Sequence, residues 1–199
     1  MNKKRLKELV EKRARQYGEF TLVSGQPATH YFDAKQVLCD PEGVYLIGKG
    51  IYELLVWRIL GFVIRRKVAA IGGEGIGGRA IVSAVVAYSY LKRKPICGFE
   101  VVRREELRKD DPQRGEGAEY VIKGHLPPPG SKVAIFDDVL TTGGSILKAI
   151  KAAEDRGCRA AIVGGILDRQ QGGSAELRRR GYRVKSFLRA DSTGNVYIN

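Results

Sequence analysis

The stretch Val133-Ala134-Ile135-Phe136-Asp137-Asp138-Val139-Leu140-Thr141-Thr142-Gly143-Gly144-Ser145 combines four local signals within thirteen residues. It opens with four apolar residues, a pattern typical of a buried strand in a parallel sheet. Two adjacent carboxylates follow, then a turn of small residues. From Ser145 to Ile150 the apolar residues have helical spacing. The stretch therefore predicts a strand, an acidic pair, a tight turn and a helix.

The turn at 141–145 has the composition of an anion-binding loop. Glycines allow backbone N–H groups to face an anion, threonine hydroxyls add donors, and the helix N-terminus contributes a favourable dipole. That dipole stabilises a nearby anion by about 0.3–1 kcal/mol. Asp137 and Asp138 would then lie where a sugar attached to a bound phosphate places its hydroxyls. The alternative is an acidic strand end followed by an ordinary glycine turn.

Strands and helices alternate along most of the chain, which predicts an α/β fold around a mostly parallel central sheet. An amphipathic helix is expected over 3–17, followed by two short strands around a turn at 26–30 that includes His30. Asp40 and Pro41 predict the start of a helix that runs to Leu60 and ends at Gly61. Further strands are expected at 68–71, 96–102, 118–123, 160–167 and 184–188. Helices are expected over 79–90 and from Ser145 to near Gly157, and a short helix is expected to end at Arg180.

A second glycine-rich turn, Gly72 to Gly78, follows the predicted strand at 68–71 and has two interpretations. Gly73-x-Gly75-x-x-Gly78 matches a dinucleotide-binding fingerprint, with Glu100 at the distance of a ribose-binding carboxylate. Glu100 is, however, followed by Val101 and Val102 and is expected inside its strand. The other interpretation is a second anion loop, which would hold a pyrophosphate through backbone donors.

The length of 199 residues suits one domain, and a hydrophobic content of 43% is ordinary for a globular protein. No apolar run is long enough to span a bilayer, and the N-terminus lacks the apolar core of a secretory signal. Cys39, Cys97 and Cys158 are odd in number and widely spaced, which favours a reducing, cytoplasmic location.

The formal net charge of +13 favours anionic partners. Much of it lies in two clusters, at 1–15 and 178–183, whereas residues 103–116 hold five basic and five acidic residues. The clusters are explained equally well by surface ion pairs, weak nucleic-acid attraction or substrate steering. No helix-turn-helix or zinc module is visible, so nucleic acid is an unlikely partner.

The stretch at 133–145 resembles the 5-phosphoribosyl-1-diphosphate (PRPP) signature of type I phosphoribosyltransferases. Tyr17 to Gly25 and Tyr31-Phe32-Asp33 resemble the N-terminal hood of the orotate phosphoribosyltransferases, and Leu167-Asp168-Arg169 fits the same family. The resemblance covers most of the chain. It implies one domain over 1–199, whose hood is formed by about 17–38 with C-terminal residues, and a transferase that joins PRPP to orotate.

The resemblance also implies roles for particular residues. Ribose hydroxyls would be held by Asp137 and Asp138, and the 5-phosphate by Thr141, Thr142, Gly143, Gly144 and Ser145. The pyrophosphate would face Gly73, Glu74, Gly75, Gly77 and Lys35. Orotate would lie among Tyr31, Phe32 and Arg169. For these last residues the alternatives are core packing of the two rings and an ion pair between Arg169 and Asp168.

Magnesium is the implied cofactor, bound through PRPP rather than by a protein cage, with Asp137 and Asp138 contacting it through water. The family carries a mobile loop that is shared across a homodimer, which here is 103–117 with Arg104, Arg108 and Lys109 as catalytic cations. This loop lacks the family's histidine, Val23 replaces an often basic residue, and the pyrophosphate loop has no lysine. Two alternatives therefore stay open: a transferase for another base, and a PRPP-sensing regulator that binds nucleic acid.

Overall fold

A seven-stranded sheet forms the centre of the computed structural model, which describes residues 1–21, 27–59, 62–114 and 119–199. The strands of the sheet are β5 (Ala70–Glu74), β6 (Cys97–Arg103), β7 (Tyr120–Gly124), β8 (Lys132–Leu140), β9 (Arg159–Asp168), β10 (Val184–Ala190) and β11 (Val196–Ile198). Their order across the sheet is β11-β10-β9-β8-β5-β6-β7. Five of these strands run parallel, and the edge strands β7 and β11 are antiparallel to their neighbours. The predicted α/β class with a mostly parallel sheet is confirmed.

Helices cover both faces of the sheet. They are α1 (Lys3–Leu9), which continues as a π-helical turn to Ala14, α2 (Lys35–Leu38), α3 (Pro41–Leu55), α4 (Gly75–Leu91), α5 (Gly144–Glu154) and α6 (Gly173–Arg179). Two antiparallel hairpins lie outside the main sheet, β1 (Arg15–Thr21) with β2 (Pro27–Phe32) and β3 (Val56–Ile59) with β4 (Phe62–Arg66). None of the described helices is both long and apolar enough to cross a membrane.

The alternation of side chains along β8 creates two hydrophobic cores. Ala134 and Phe136 belong to the core packed by α3 and α4. Val133 and Ile135 belong to the core packed by α5. Successive residues of a strand point to opposite faces, so a continuous apolar run is what a strand covered on both sides requires. This packing fixes the direction in which β8 delivers the acidic pair at its end.

Several element boundaries differ from the sequence-based expectation. The first helix does not reach residue 17, because residues from Arg15 onward pair with β2, with Arg15 opposite Phe32. The helix that begins at Pro41 is capped by the Asp40 carboxylate, which accepts the Gly43 N–H at 2.8 Å, as predicted. It ends at Leu55 instead of Leu60, and β3 begins at once. Leu60, Gly61 and the Leu22–Gln26 part of the first hairpin lie outside the described residues.

One further difference bears on a proposed binding loop. Helix α4 begins at Gly75 and not at Arg79, so Gly72, Gly73 and Glu74 end strand β5 and the glycines that follow open the helix. Residues 120–124 form the expected strand, while Ala118 lies outside the described part of the chain. Strand β11, which pairs with β10 through Leu188 and Ile198, was not expected.

Candidate active site

The two glycine-rich turns meet where the direction of the crossovers changes in the sheet. Strands β5 and β8 are neighbours, yet α4 leads from β5 outward to β6, and α5 leads from β8 the other way to β9. In an open parallel sheet such a reversal leaves a crevice beyond the carboxyl ends of the two strands, and ligands bind there. Both turns lie at this crevice.

The predicted phosphate loop begins helix α5 in the expected way. Gly143 has a φ of 85°, a left-handed conformation that favours glycine, and Gly144 starts the helix. The loop borders a cleft of about 490 Å³. Its lining includes most of the predicted substrate residues together with two that the sequence reasoning missed: Tyr31, Asp137, Thr141, Thr142, Gly143, Gly144, Ser145, Lys148, Arg169 and Gln171. Lys148 follows Ser145 by one helical turn, a spacing that could have identified it.

The acidic pair at the end of β8 is held by its own backbone. Asp137 Oδ1 accepts the Asp138 N–H at 2.8 Å, and Asp138 Oδ1 accepts the Val139 N–H at 2.7 Å. Desolvation, followed by repulsion from Asp138 with a smaller contribution from Glu74, raises the pKa of Asp137 to about 8. Without a ligand, this pair therefore retains a proton at neutral pH. Once this proton is lost, the carboxylates of the pair can accept a hydrogen bond from a hydroxyl group or bind a cation.

The second glycine turn packs directly against the first site. A methyl group added at Gly77 would lie 2.4 Å from Asp138 Cγ, and one at Gly73 would lie 2.8 Å from the Phe136 carbonyl oxygen. Lys35 pairs with Asp33 at 2.7 Å, and Asp33 and, more weakly, Asp138 raise the pKa of its amine. Gly77 therefore lies against the Asp138 side chain, Gly73 against the backbone just before the acidic pair, and Glu74 close enough to act on Asp137.

Glu100 does not support the dinucleotide interpretation. It lies within β6, paired in register with Gly73 on one side and Lys123 on the other. Its carboxylate forms an ion pair with Arg79 Nε of α4. The carboxylate is therefore engaged with the protein inside the sheet and does not stand at the strand end where a ribose would lie.

The loop after β9 is hydrogen-bonded to the predicted phosphate loop through the backbone. Arg169 N–H donates to the Leu140 carbonyl at 2.9 Å, and Gly173 N–H donates to the Thr141 carbonyl at 3.0 Å. A methyl group at Gly173 would lie 2.5 Å from that carbonyl oxygen, so only glycine fits. The Asp168 carboxylate accepts from Ser174 Oγ and from the Gln170 N–H at 2.8 Å. These bonds occupy Asp168 within its own loop.

Arg169 is buried at the end of β9 and faces the cleft. Only 9% of the residue is exposed, and burial lowers the pKa of its guanidinium. Its Nη2 lies 3.3 Å from His30 Nε2, and its Cζ lies 5.8 Å from the Phe32 ring centroid. No carboxylate of the described residues forms an ion pair with it. Arg169 and Asp168 therefore do not form the ion pair that was the alternative interpretation.

Two expectations about strand β2 need correction. Phe32 is 3% exposed and belongs to the hydrophobic core, so its ring supports Arg169 and does not line the cleft. His30 is not an exposed turn residue: it lies in β2, is 4% exposed and packs against Phe32 with ring centroids 5.6 Å apart. Tyr31, whose side chain points the other way, is 38% exposed and does line the cleft.

Several predicted site residues do not line this cleft: Phe32, Asp138, Lys35, the glycine turn at 73–77 and the three loop cations. Arg104 donates to the Gln113 carbonyl and borders a separate depression against Tyr120 and Asp155. Arg108 is exposed and pairs with Asp110 at 3.1 Å. Lys109 is exposed in the same loop, and residues 115–117 lie outside the described residues.

The fold and the cleft together define a class of protein. A parallel sheet with a crossover reversal, an acidic pair leading into a Thr-Thr-Gly-Gly helix start and a second glycine turn beside it are the features of a type I phosphoribosyltransferase.

The comparisons with known proteins narrow the class. The orotate phosphoribosyltransferase of Aquifex aeolicus is 35% identical over 192 residues, covering 95% of this chain and 96% of the relative. That of Rhodopirellula baltica is 34% identical, covering 90% and 87%. The solved orotate phosphoribosyltransferase of Mycobacterium tuberculosis superposes with a TM-score of 0.70 at 25% identity, covering 94% of this chain and 95% of that one. No protein-family model matches the chain. The chain belongs to the orotate phosphoribosyltransferase family, and it is an enzyme of the glycosyltransferase type.

Proposed function

We propose that this cleft transfers the 5-phosphoribosyl group of PRPP to orotate, giving orotidine 5'-monophosphate and pyrophosphate in the de novo synthesis of pyrimidines. One observation carries the proposal: Arg169 faces the same cleft as Asp137 and the phosphate loop, with no acidic partner among the described residues. A guanidinium fork of this kind binds a carboxylate bidentately. Orotate differs from other pyrimidine bases in carrying one.

The PRPP side of the cleft is assigned to the two glycine turns. Thr141 to Ser145 bind the 5-phosphate at the start of α5, and Asp137 and Asp138 hold the ribose hydroxyls. Gly73, Glu74, Gly75 and Gly77, with Lys35, face the pyrophosphate. The contact of Gly77 with Asp138 supports this assignment, because it holds the two ends of one phosphorylated sugar at neighbouring places.

The residues of the acidic pair fit a magnesium ion that is bound mainly by substrate oxygens. Hard oxygen ligands suit Mg²⁺, which keeps several waters and needs few protein ligands. Among the described residues no group of three or more metal-ligating side chains is found, so Asp137 and Asp138 with PRPP would supply the site. When bound, the ion supplies charge neutralisation on the pyrophosphate. Its charge would also favour release of the proton from Asp137.

Transfer breaks the bond between the anomeric carbon and pyrophosphate and forms one to a ring nitrogen of orotate, whose proton passes to the departing pyrophosphate or to solvent. The transition state resembles an oxocarbenium ion, so the protein contributes mainly by holding the two reactants in line and by stabilising charge. Tyr31 and Arg169 hold the base against the sugar. In a homodimer, the 103–117 loop of one subunit reaches the cleft of its partner. There Arg104, Arg108 and Lys109 neutralise the departing pyrophosphate.

We also propose that residues 1–199 make one domain whose hood joins both ends of the chain. Arg15 donates to the Gly194 carbonyl at 3.2 Å, and a methyl group at Gly194 would lie 2.9 Å from His30 Cγ, which supports this assignment. A cytoplasmic location is supported by Cys39, Cys97 and Cys158, which are all free thiols.

The test is the fall in orotate absorbance when the protein is mixed with PRPP and Mg²⁺, with adenine, hypoxanthine and uracil in parallel. We expect orotate to be consumed, and the double variant Asp137→Asn/Asp138→Asn to abolish this. Pyrophosphate release with another base would overturn the assignment of orotate. If no base is consumed and no pyrophosphate is released, while PRPP still raises the melting temperature, the protein would instead be a PRPP-binding regulator.

A further inference from the structure

His30 lies at the junction of the hood, the base side of the cleft and the C-terminal turn. Its ring is buried, with Nε2 3.3 Å from Arg169 Nη2 on one side. On the other side Gly194, with a φ of 85°, presents its Cα without a side chain against the ring. The sequence reasoning gave this histidine no functional role.

The contact with Arg169 defines the protonation state of His30. A guanidinium carries five N–H donors and no acceptor, so a hydrogen bond at this distance requires an unprotonated Nε2 on the histidine. The single proton of a neutral imidazole must then be on Nδ1. Nδ1 is buried and has no hydrogen-bond partner among the described residues, which is compatible with a neutral N–H but costly for a charged ring.

Three charged groups from three elements act on this ring. Arg169 approaches from the end of β9, Arg15 from β1 and Asp191 from the turn before β11. Burial is the largest influence and Arg169 the next, and both lower the pKa of His30, while Asp191 opposes them. The Asp191 carboxylate itself accepts hydrogen bonds from Thr193 Oγ1 at 2.7 Å and from Tyr197 Oη at 3.0 Å. His30 is therefore neutral at neutral pH.

We infer that His30 is a positioning residue for the base: its neutral Nε2 accepts a hydrogen bond from Arg169 and aims the guanidinium at the carboxylate of orotate. The inference rests on the proposed role of Arg169. It follows that the enzyme loses affinity for orotate, but not for PRPP, when His30 is protonated or replaced by a residue without an acceptor. A histidine that only fills space would show neither selectivity nor pH dependence.

Two variants separate these cases. His30→Leu introduces an apolar side chain of similar size that has no hydrogen-bond acceptor. His30→Gln instead provides an amide oxygen near the position of Nε2. For His30→Leu we expect KM for orotate to rise about tenfold, the typical effect of leaving a buried charged donor without its partner. KM for PRPP should change less than about twofold, and His30→Gln should recover most of the loss. Equal effects of His30→Leu on both substrates would overturn the inference.

The pH dependence provides an independent readout. In the wild type, KM for orotate should rise as the pH falls through the lowered pKa of His30, below the ordinary histidine value of about 6.5, because protonation removes the acceptor and repels Arg169. The same profile for His30→Gln should be flat in that range. A wild-type profile that is flat, or a variant profile that still rises, would contradict the assignment.

Direct observation of the tautomer remains decisive even if His30→Leu does not fold. The chain has two histidines, and His125 is exposed, so His125→Asn leaves a single imidazole for ¹⁵N NMR without touching the cleft. We expect a neutral ring with the proton on Nδ1 at pH 7. A proton on Nε2, or a charged ring, would overturn the inference. Failure of the proposed function would look different, since the wild type itself would then consume no orotate.

Discussion

Gly77 lies in the first turn of α4 and Asp138 lies near the end of β8, yet the Asp138 carboxylate occupies the space that a side chain at Gly77 would need. A methyl group at Gly77 would stand 2.4 Å from Asp138 Cγ and 2.5 Å from its Oδ2. The first turn of α4 and the acidic pair at the end of β8 are therefore in direct contact. A change at either position must be transmitted to the other.

Gly77→Ala should impair PRPP use without unfolding the protein. Alanine is preferred over glycine inside a helix by about 0.5–1 kcal/mol, so stability should not fall through the helix itself. The added methyl must, however, turn the Asp138 carboxylate away from the ribose. We expect kcat/KM for PRPP to fall about 10- to 100-fold, as a displacement of about 1 Å in a reacting site commonly causes. Steady-state kinetics with a melting curve tests this, and unchanged kinetics would contradict the contact.

Asp137→Asn should stabilise the free protein at high pH while abolishing transfer. The pKa of Asp137 is raised to about 8 from 3.8, so the folded state holds a proton that the unfolded state has lost. Stability from this group is therefore complete below about pH 4 and declines as the pH rises toward 8. Asparagine has no such dependence. The melting temperature of the variant should exceed that of the wild type at pH 8.5, by about 2–4 °C per kcal/mol, with the difference vanishing near pH 4.

Arg169→Lys should separate recognition of the orotate carboxylate from the rest of catalysis. Lysine keeps the charge but loses the planar fork and the contact over Phe32. We expect kcat/KM for orotate to fall about 100-fold, and PRPP binding measured by calorimetry to be unchanged. Uracil, which lacks the carboxylate, serves as the control base: any slow turnover of uracil should be the same in both proteins. An equal fall for uracil would place Arg169 elsewhere in the mechanism.

Mixing two inactive variants should restore activity if the 103–117 loop serves the partner subunit. One variant carries Lys109→Ala with Arg108→Ala, the other Asp137→Asn with Asp138→Asn. A mixed dimer would contain one cleft with intact acids and an intact loop, so roughly a quarter of wild-type activity should return on equal mixing. Each variant alone gives the baseline. No recovery, in a mixture shown by mass measurement to contain mixed dimers, would assign the loop to its own cleft.

Gly173→Ala should loosen the phosphate loop, because its methyl would meet the Thr141 carbonyl oxygen at 2.5 Å and the Gly143 nitrogen at 2.7 Å. Gly181→Ala is the matched control: Gly181 has a φ of 88° and open space around it, so alanine there costs only backbone strain of about 1–2 kcal/mol. Both variants should melt earlier than the wild type. Only Gly173→Ala should also lose about tenfold in PRPP affinity, measured by calorimetry. Equal affinities in the two variants would contradict a role for this contact.

The local structure at 133–145 could be predicted because its signals are local. Val133 to Ser145 contains the strand, the acids, the left-handed glycine and the helix start in one continuous run, and the structure has them in that order. The same holds for Asp40, which caps α3 three residues before the N–H it accepts. Such features depend on spacing within one or two turns of chain, which the sequence states directly.

The surroundings of His30 and Arg169 could not be predicted because their contacts join distant segments. His30 follows a Pro-Ala-Thr run that is typical of a turn, and its burial depends on Gly194 and Arg169. Arg15 has helical neighbours, but pairing with Phe32 draws it into β1. The end of α3 at Leu55 follows the same rule, because pairing of β3 with β4 overrides a helical pattern that the sequence alone favours.

The contact between His30 and Gly194 also bears on how the protein is made. Synthesis proceeds from the N-terminus at about 5–20 residues per second, so β2 and the loop at 141–145 leave the ribosome several seconds before Gly194 does. Until Gly194 arrives, the His30 ring lacks the backbone surface that closes around it. A nascent chain can thus form the loop at 141–145 first, while the surroundings of His30 are completed only when Gly194 docks.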